Sequence, residues 1–214
     1  MGEEDFWRVK MDEYEAKELL KSSGIDVPPG QRVMSEGEID FGGRYPKIVK
    51  VCSSQILHKS DVGGVIAGIR DATELRMAFN EILKKFPGKR VLIEEMITAR
   101  GIEAIVGVGV DRDFGRYIMV GVGGVLAELY KDVSFRLLPI KRGDAVELVE
   151  SLRGKKLFQG FRGVNVNLEA FYGLIEKVSG FAQDREIDDM DLNPVFISER
   201  AIVLDAKIVG GKNV

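Results

Sequence analysis

Short apolar runs alternate with stretches of helical period along this chain. Tyr14, Ala16, Leu19 and Leu20 give one apolar side to a helix predicted over residues 11–22, and Gly24 stops it. Val27-Pro28-Pro29-Gly30 is a break. Residues 48–52 and 65–69 read as strands. Asp71-Ala72-Thr73-Glu74 has capping-box spacing, and the helix it opens carries Leu75, Phe79, Ile82 and Phe86 on one side before Pro87-Gly88 ends it. Residues 91–97 and 104–111 are predicted strands, and the turn from Asp111 to Gly115 leads into another over 117–122. Asp144-Ala145-Val146-Glu147 repeats the capping-box spacing and predicts a helix to about Arg153. Residues 155–166, rich in Gly and Arg, read as loop, and residues 168–182 as a helix with Phe171, Ile175 and Val178 inward. The mixture predicts an α+β (α/β) fold class.

The C-terminal pattern is sharper. Two apolar runs, 190–197 and 201–209, flank Ser198-Glu199-Arg200, which predicts a hairpin with a three-residue loop. Folding it about Glu199 sets Asn193 opposite Asp205 and Asp191 opposite Lys207. Side chains alternate along a strand, and opposed residues share a face. Asp191, Asn193, Asp205 and Lys207 therefore form one polar cluster. Its oxygens suit hard Mg²⁺, which takes one or two protein ligands beside nucleotide phosphates. The plainer alternative is a solvated strand face with a cross-strand salt bridge.

Composition narrows the class. At 214 residues, one domain or one two-lobed unit is expected, with 45% hydrophobic and 30% charged residues as in globular proteins. A net charge of −3 and no long basic block argue against nucleic-acid binding. Cys52 is the sole cysteine, so no intrachain disulfide forms, which suits a reducing compartment. Met1-Gly2-Glu3-Glu4-Asp5 lacks a signal-peptide pattern, and no apolar run approaches the ~20 residues of a membrane span. A cytoplasmic protein without membrane or nucleic-acid partners is the expectation.

Candidate chemistry centres on Leu57-His58-Lys59-Ser60-Asp61-Val62-Gly63-Gly64-Val65, which holds the only histidine. Imidazole is a competent nucleophile toward phosphorus near neutral pH. Lys50, read as ending its strand, offers a point charge to phosphate, and Gly63 and Gly64 would let backbone N–H groups approach one. Glu94-Glu95 at a strand end, and Glu103 beyond, are carboxylates of the kind that accept ribose hydroxyls. Arg136 would clamp a phosphate or acyl phosphate. Each has a bland alternative: a surface-loop histidine, a snorkelling lysine, a glycine turn, surface carboxylates, a structural arginine. Neither a G-x-x-x-x-G-K-[ST] P-loop nor a dinucleotide fingerprint occurs.

Together, Glu13-Tyr14-Glu15-Ala16-Lys17-Glu18-Leu19-Leu20, Lys50, the His58–Val65 segment, Glu94, Glu103, Lys131-Asp132-Val133-Ser134-Phe135-Arg136, Asp191-Leu192-Asn193-Pro194 and Asp205-Ala206-Lys207 resemble an ATP-grasp domain of the acyl-CoA synthetase kind. The resemblance runs from about Glu13 to Val209. It is to β subunits of ADP-forming acetyl-CoA synthetases and, more distantly, of succinyl-CoA synthetases. It implies one ATP-grasp domain over 1–214, with α+β lobes near 28–97 and 98–214 gripping ATP or ADP. It implies that Lys50 contacts phosphates, that Glu94 and Ile97 match the hinge reading adenine, and that Glu103 matches the ribose carboxylate. Asn193 and Asp205 match Mg²⁺ ligands, with Asp191 beside them. In the acetyl-type enzymes a histidine matched by His58 carries phosphate to ADP, where succinyl-CoA synthetases place glycine. The chain contains no CoA-binding domain and no second histidine, so an α subunit, in an α2β2 assembly, is implied. Rival readings are an ATP-grasp carboxylate–amine ligase without phosphohistidine and a non-catalytic nucleotide sensor.

Overall fold

The computed structural model describes residues 9–56, 58–124, 131–185 and 187–210. In chain order its elements are β1 (Val9–Lys10), α1 (Glu13–Ser22), β2 (Gly30–Val33), β3 (Lys47–Cys52), β4 (Val65–Ile69), α2 (Ala72–Lys85), β5 (Arg90–Glu95), β6 (Ile102–Asp111), β7 (Gly115–Val122), β8 (Val133–Leu137), α3 (Arg142–Glu150), α4 (Leu168–Asp184), β9 (Ile187–Ile197), β10 (Ala201–Val203) and β11 (Ala206–Gly210). They divide into two compact units. The smaller comprises Asp12–Glu15 and Pro28–Thr98, and the larger holds the remaining described residues. Among the described residues no helix is long and apolar enough to cross a membrane.

The smaller unit is an antiparallel sheet in the order β2-β5-β3-β4. Leu75, Phe79 and Ile82 of α2 pack on Val49, Val51, Val91 and Ile93. The period-3.6 side of the helix thus meets one face of period-2 strands. Asp71 caps α2 by accepting from the amides of Thr73 and Glu74 at 2.8 and 2.9 Å. Glu74 reaches back to the amide of Arg70 rather than to that of Asp71, so the predicted box closes one residue early. A true box opens α1: Asp12 accepts from the amide of Glu15 at 3.0 Å, and Glu15 accepts from that of Asp12 at 3.1 Å.

The larger unit is an antiparallel sheet in the order β1-β11-β9-β6-β7-β8, with β10 also on β9. Phe171, Ile175 and Val178 of α4 and Leu148 of α3 share its core with Val106, Ile118, Val120 and Leu192. Besides shifts of one or two residues at element ends, the expected elements change in four places. The strand over 91–97 stops at Glu95, because β2's register would next set Pro29 and Pro28, which lack N–H donors, opposite Glu95 and Met96. The helix expected to open at Asp144 starts at Arg142: Asp144 lies in its first turn, accepting from the amide of the capping Lys141 at 2.8 Å, and the helix ends at Glu150. Residues 155–166 are not plain loop, since Lys155–Gln159 and Phe161–Gly163 wind into 3-10 turns that bury Phe158. The last apolar run breaks at Leu204-Asp205 into β10 and β11.

Candidate functional site

In the smaller unit, β3 continues to Cys52, so Lys50 sits inside the strand rather than at its end. Alternation turns Lys50 to the face opposite Val49 and Val51. The residue is 6% exposed, and its Nζ lies 2.6 Å from Glu13 Oε1 and 2.9 Å from Glu94 Oε2. Glu13 Oε2 also receives the ammonium of Lys59. Glu13 is the first residue of α1, where the helix dipole favours a carboxylate. The Glu94 carboxylate, on the residue expected with Ile97 at the hinge that reads adenine, is thus engaged by Lys50. Cys52, next but one to Lys50, has its thiol pushed up to about 12, chiefly by burial, with Asp12 and Glu13 adding.

Sequence reasoning quoted Glu13 and Lys59 within longer segments but gave neither a role. The available signal was an acid at a capped helix start and a lysine beside the only histidine. That one carboxylate joins two lysines 9 positions apart is decided by tertiary contact.

His58 is exposed on the loop that follows β3, while Leu57 lies outside the described residues. The loop is tied after the histidine. Gly64 N donates to Lys59 O at 2.6 Å, Gly63 N to Ser60 O at 2.9 Å, and Val51 N to Gly64 O at 2.8 Å. Gly63 has φ +62, and a Cβ on Gly64 would fall 2.6 Å from Val51 Cγ1. The two glycines therefore serve a left-handed turn and a close approach. Their amides bond to carbonyls within the loop.

Ile97 follows β5 and is half-buried. In the larger unit, Glu103 is exposed on β6, and its carbonyl accepts from the amide of Gly123 at 2.8 Å. Arg136 lies on β8 and pairs with Glu147 Oε2 at 3.1 Å.

The hairpin has the expected register: Ala201 opposes Ile197, Ala206 opposes Leu192 and Lys207 opposes Asp191. Asn193 N donates to Asp205 O at 3.2 Å. On the other side of β9, Ala104 opposes Val195 and Val106 opposes Leu192, so Asn193 and Pro194 together face Ile105. That is a β-bulge, which accommodates a proline and re-aims the neighbouring side chain. Pro194 accepts from Leu204 N at 2.9 Å but cannot return a bond, and the buried ammonium of Lys17 donates to Leu204 O at 2.7 Å instead. Asp191 and Asn193 lie on the exposed face of β9. Partial desolvation of its carboxyl nonetheless pushes Asp191 up, Lys207 opposes that, and Asp189 and Asp205 push it further. The ion pair of Lys207 runs diagonally to Asp189 at 3.5 Å rather than straight across to Asp191. Among the described residues no three His, Cys, Asp or Glu side chains form a metal cage. Mg²⁺ bound with phosphates does not require one.

The sequence profile of the ATP-grasp domain family matches residues 5–209. The chain is 41% identical over 208 residues to acetate–CoA ligase [ADP-forming] II of Archaeoglobus fulgidus, covering 94% of this chain and 30% of that protein. It is 40% identical over 210 residues to the β subunit of acetate–CoA ligase [ADP-forming] I of Pyrococcus furiosus, covering 92% of this chain and 90% of that subunit. Its fold superposes with TM-score 0.80 at 35% identity, covering 94% of this chain and 92% of the other, on an acetyl-coenzyme A synthetase 1 of Ca. Korarchaeum cryptofilum. That structure holds coenzyme A and Mg-AMPPCP, with a phosphohistidine segment pointing towards the nucleotide binding site.

Proposed function

This chain belongs to the ATP-grasp family, among the β components of ADP-forming acyl-CoA ligases, and from that premise we propose that it handles the nucleotide in acyl-CoA + ADP + phosphate ⇌ acid + ATP + CoA. His58 is the phosphoryl carrier. Its imidazole nitrogen takes the phosphoryl group from a phosphohistidine on the partner and passes it to the terminal oxygen of ADP, forming one P–O bond as the N–P bond breaks. Lys50 contacts the nucleotide phosphates, Glu94 and Ile97 border the base, and Glu103 binds ribose. Arg136 helps orient the transferred group.

The observation that carries this reading is the pairing of an exposed His58 with a tied loop. Lys59 is joined to Glu13, and Glu13 to Lys50, so a solvent-reachable nucleophile sits beside an anchored cation. Oxygen donors on Asn193, Asp205 and Asp191 fit Mg²⁺, and the Asp191 carboxyl, raised first by desolvation and then by Asp189 and Asp205, is one whose charge a divalent cation would stabilise. Mg²⁺ there would neutralise phosphate charge. CoA and acyl chemistry belong to an α subunit, in an α2β2 cytoplasmic assembly.

The test is incubation with γ-labelled ATP and Mg²⁺, with and without the α partner, beside His58→Ala. Acid-labile, base-stable label on the parent and none on the variant is the expected result. An unlabelled parent that binds ATP with its partner present would overturn the relay.

A further inference from the structure

A second charged site lies on the other face of the small sheet. Lys47 of β3, Glu95 of β5 and Pro29 beside β2 are neighbours across three strands, with Lys47 directly opposite Glu95. Alternation puts Lys47 with Val49 and Val51, away from Lys50 and Glu94. Opposed Lys and Glu on one sheet face ordinarily close into an ion pair. These two do not. Glu95 Oε1 accepts from the amide of Arg44 at 2.9 Å, and Lys47 Nζ sits 5.1 Å from the centre of the Tyr45 ring. Lys47 is only 5% exposed, yet among the described residues no hydrogen bond or ion pair reaches its ammonium. The stem is buried while the ammonium opens to a cavity, where an aromatic face replaces only part of a counter-charge.

Both charged groups border a cavity of about 230 Å³, lined also by Gln31, Asp40 and Gly43. Its rim is tied down. Gln31 brackets the Asp40 backbone with bonds of 2.6 and 2.9 Å, Asp40 Oδ1 accepts from Gly42 N at 2.8 Å, and Met96 N donates to Pro46 O at 2.9 Å. Gly43, at φ +79, keeps the centre open: a Cβ there would lie 3.1 Å from Glu95 Oε1 and 3.3 Å from Lys47 Nζ. The separated charges converge on one small space.

We propose that this cavity binds a small zwitterion of the amino-acid class, its carboxylate on Lys47 and its ammonium on Glu95. A simple anion would meet the charges of Glu95 and Asp40, and a simple cation that of Lys47. A ligand carrying both signs supplies a counter-charge to the shielded Lys47 and to the half-buried Glu95 together.

The test is calorimetric titration of the full chain with glycine, L-alanine and β-alanine, beside acetate and ethylamine as half-ligands. At least one zwitterion is expected to saturate the chain and to bind tenfold or more tighter than either half-ligand. Lys47→Met should abolish that binding and, having no ion pair to break, should melt no lower than the parent. Glu95→Gln, at a half-buried residue, should weaken it at least tenfold while the fold is kept. Acetate binding as tightly as the zwitterions, saturation by none of the three, or a Lys47→Met protein that melts well below the parent would each overturn the assignment.

Discussion

Around Lys50 the charges close on one another: Glu13 and Glu94 hold its ammonium, Glu13 also holds Lys59, and all three of Lys50, Glu13 and Glu94 are buried. Around Asn193 the polar groups stand along β9 and β11 in hairpin register, with Asp191 and Asn193 exposed and Lys207 paired with Asp189. The first arrangement depends on side chains distant in sequence, the second on a local hairpin and one bulge. A buried ionic cluster is all-or-none, because removing one member strands the others. A register-held cluster loses only the member removed. The difference predicts where substitutions unfold the chain and where they only disarm it.

The largest effect is expected from Glu13→Ala, which leaves Lys50 and Lys59 without their shared carboxylate. It should cost about 3–5 kcal/mol in urea unfolding, and Glu13→Gln less. A loss below about 1 kcal/mol would place the cluster in the same class as the hairpin. Next comes Lys17→Met, which removes the donor to Leu204 O opposite Pro194. It should cost about 1–3 kcal/mol and spare the register, as judged by amide exchange on β9 and β11.

Asp205→Asn and Asn193→Ala should leave the melting temperature nearly unchanged while weakening Mg²⁺-dependent ADP binding at least tenfold, about 1.4 kcal/mol. Unfolding by either would break the distinction from the hairpin side. The smallest effect concerns Cys52. Its thiol ionises near 9.0 when unconstrained, and burial raises it to about 12 in the fold. Stability from this group is intact below pH 9 and falls as pH climbs from 9 toward 12. Cys52→Ala should therefore flatten the alkaline limb of a plot of melting temperature against pH. An unchanged limb would mean that water reaches the face shared by Lys50 and Cys52.

Legibility followed the range of the interactions. The 199-centred register, the strand pair around Lys50, and α2 with its Asp71 cap were readable because each rests on neighbours within a few residues. The end of β5 at Glu95 was missed because it depends on the prolines that precede β2, about 65 positions earlier, a pairing that local periodicity does not encode. The start of α3 was misread because Asp144 fits the spacing of a cap as well as that of a first-turn acid, and only the amide of Lys141 distinguishes the two. For the site, the candidates rested on residue type and resemblance, whereas Glu13 and Lys59 became visible only once α1 met β3 and its loop.

By itself the sequence determined the mixed class, the apolar faces of the helices, the C-terminal hairpin and the placement of its polar residues, because chain periodicity and turn chemistry act locally. Tertiary structure alone decided that Lys50 is neutralised, that the Gly63 and Gly64 amides turn inward, that Lys17 completes a bond Pro194 cannot make, and that Lys47 and Glu95 face each other without pairing. Each of these depends on which groups lose water together when distant segments meet. A buried charge or an orphaned carbonyl acquires its partner only then.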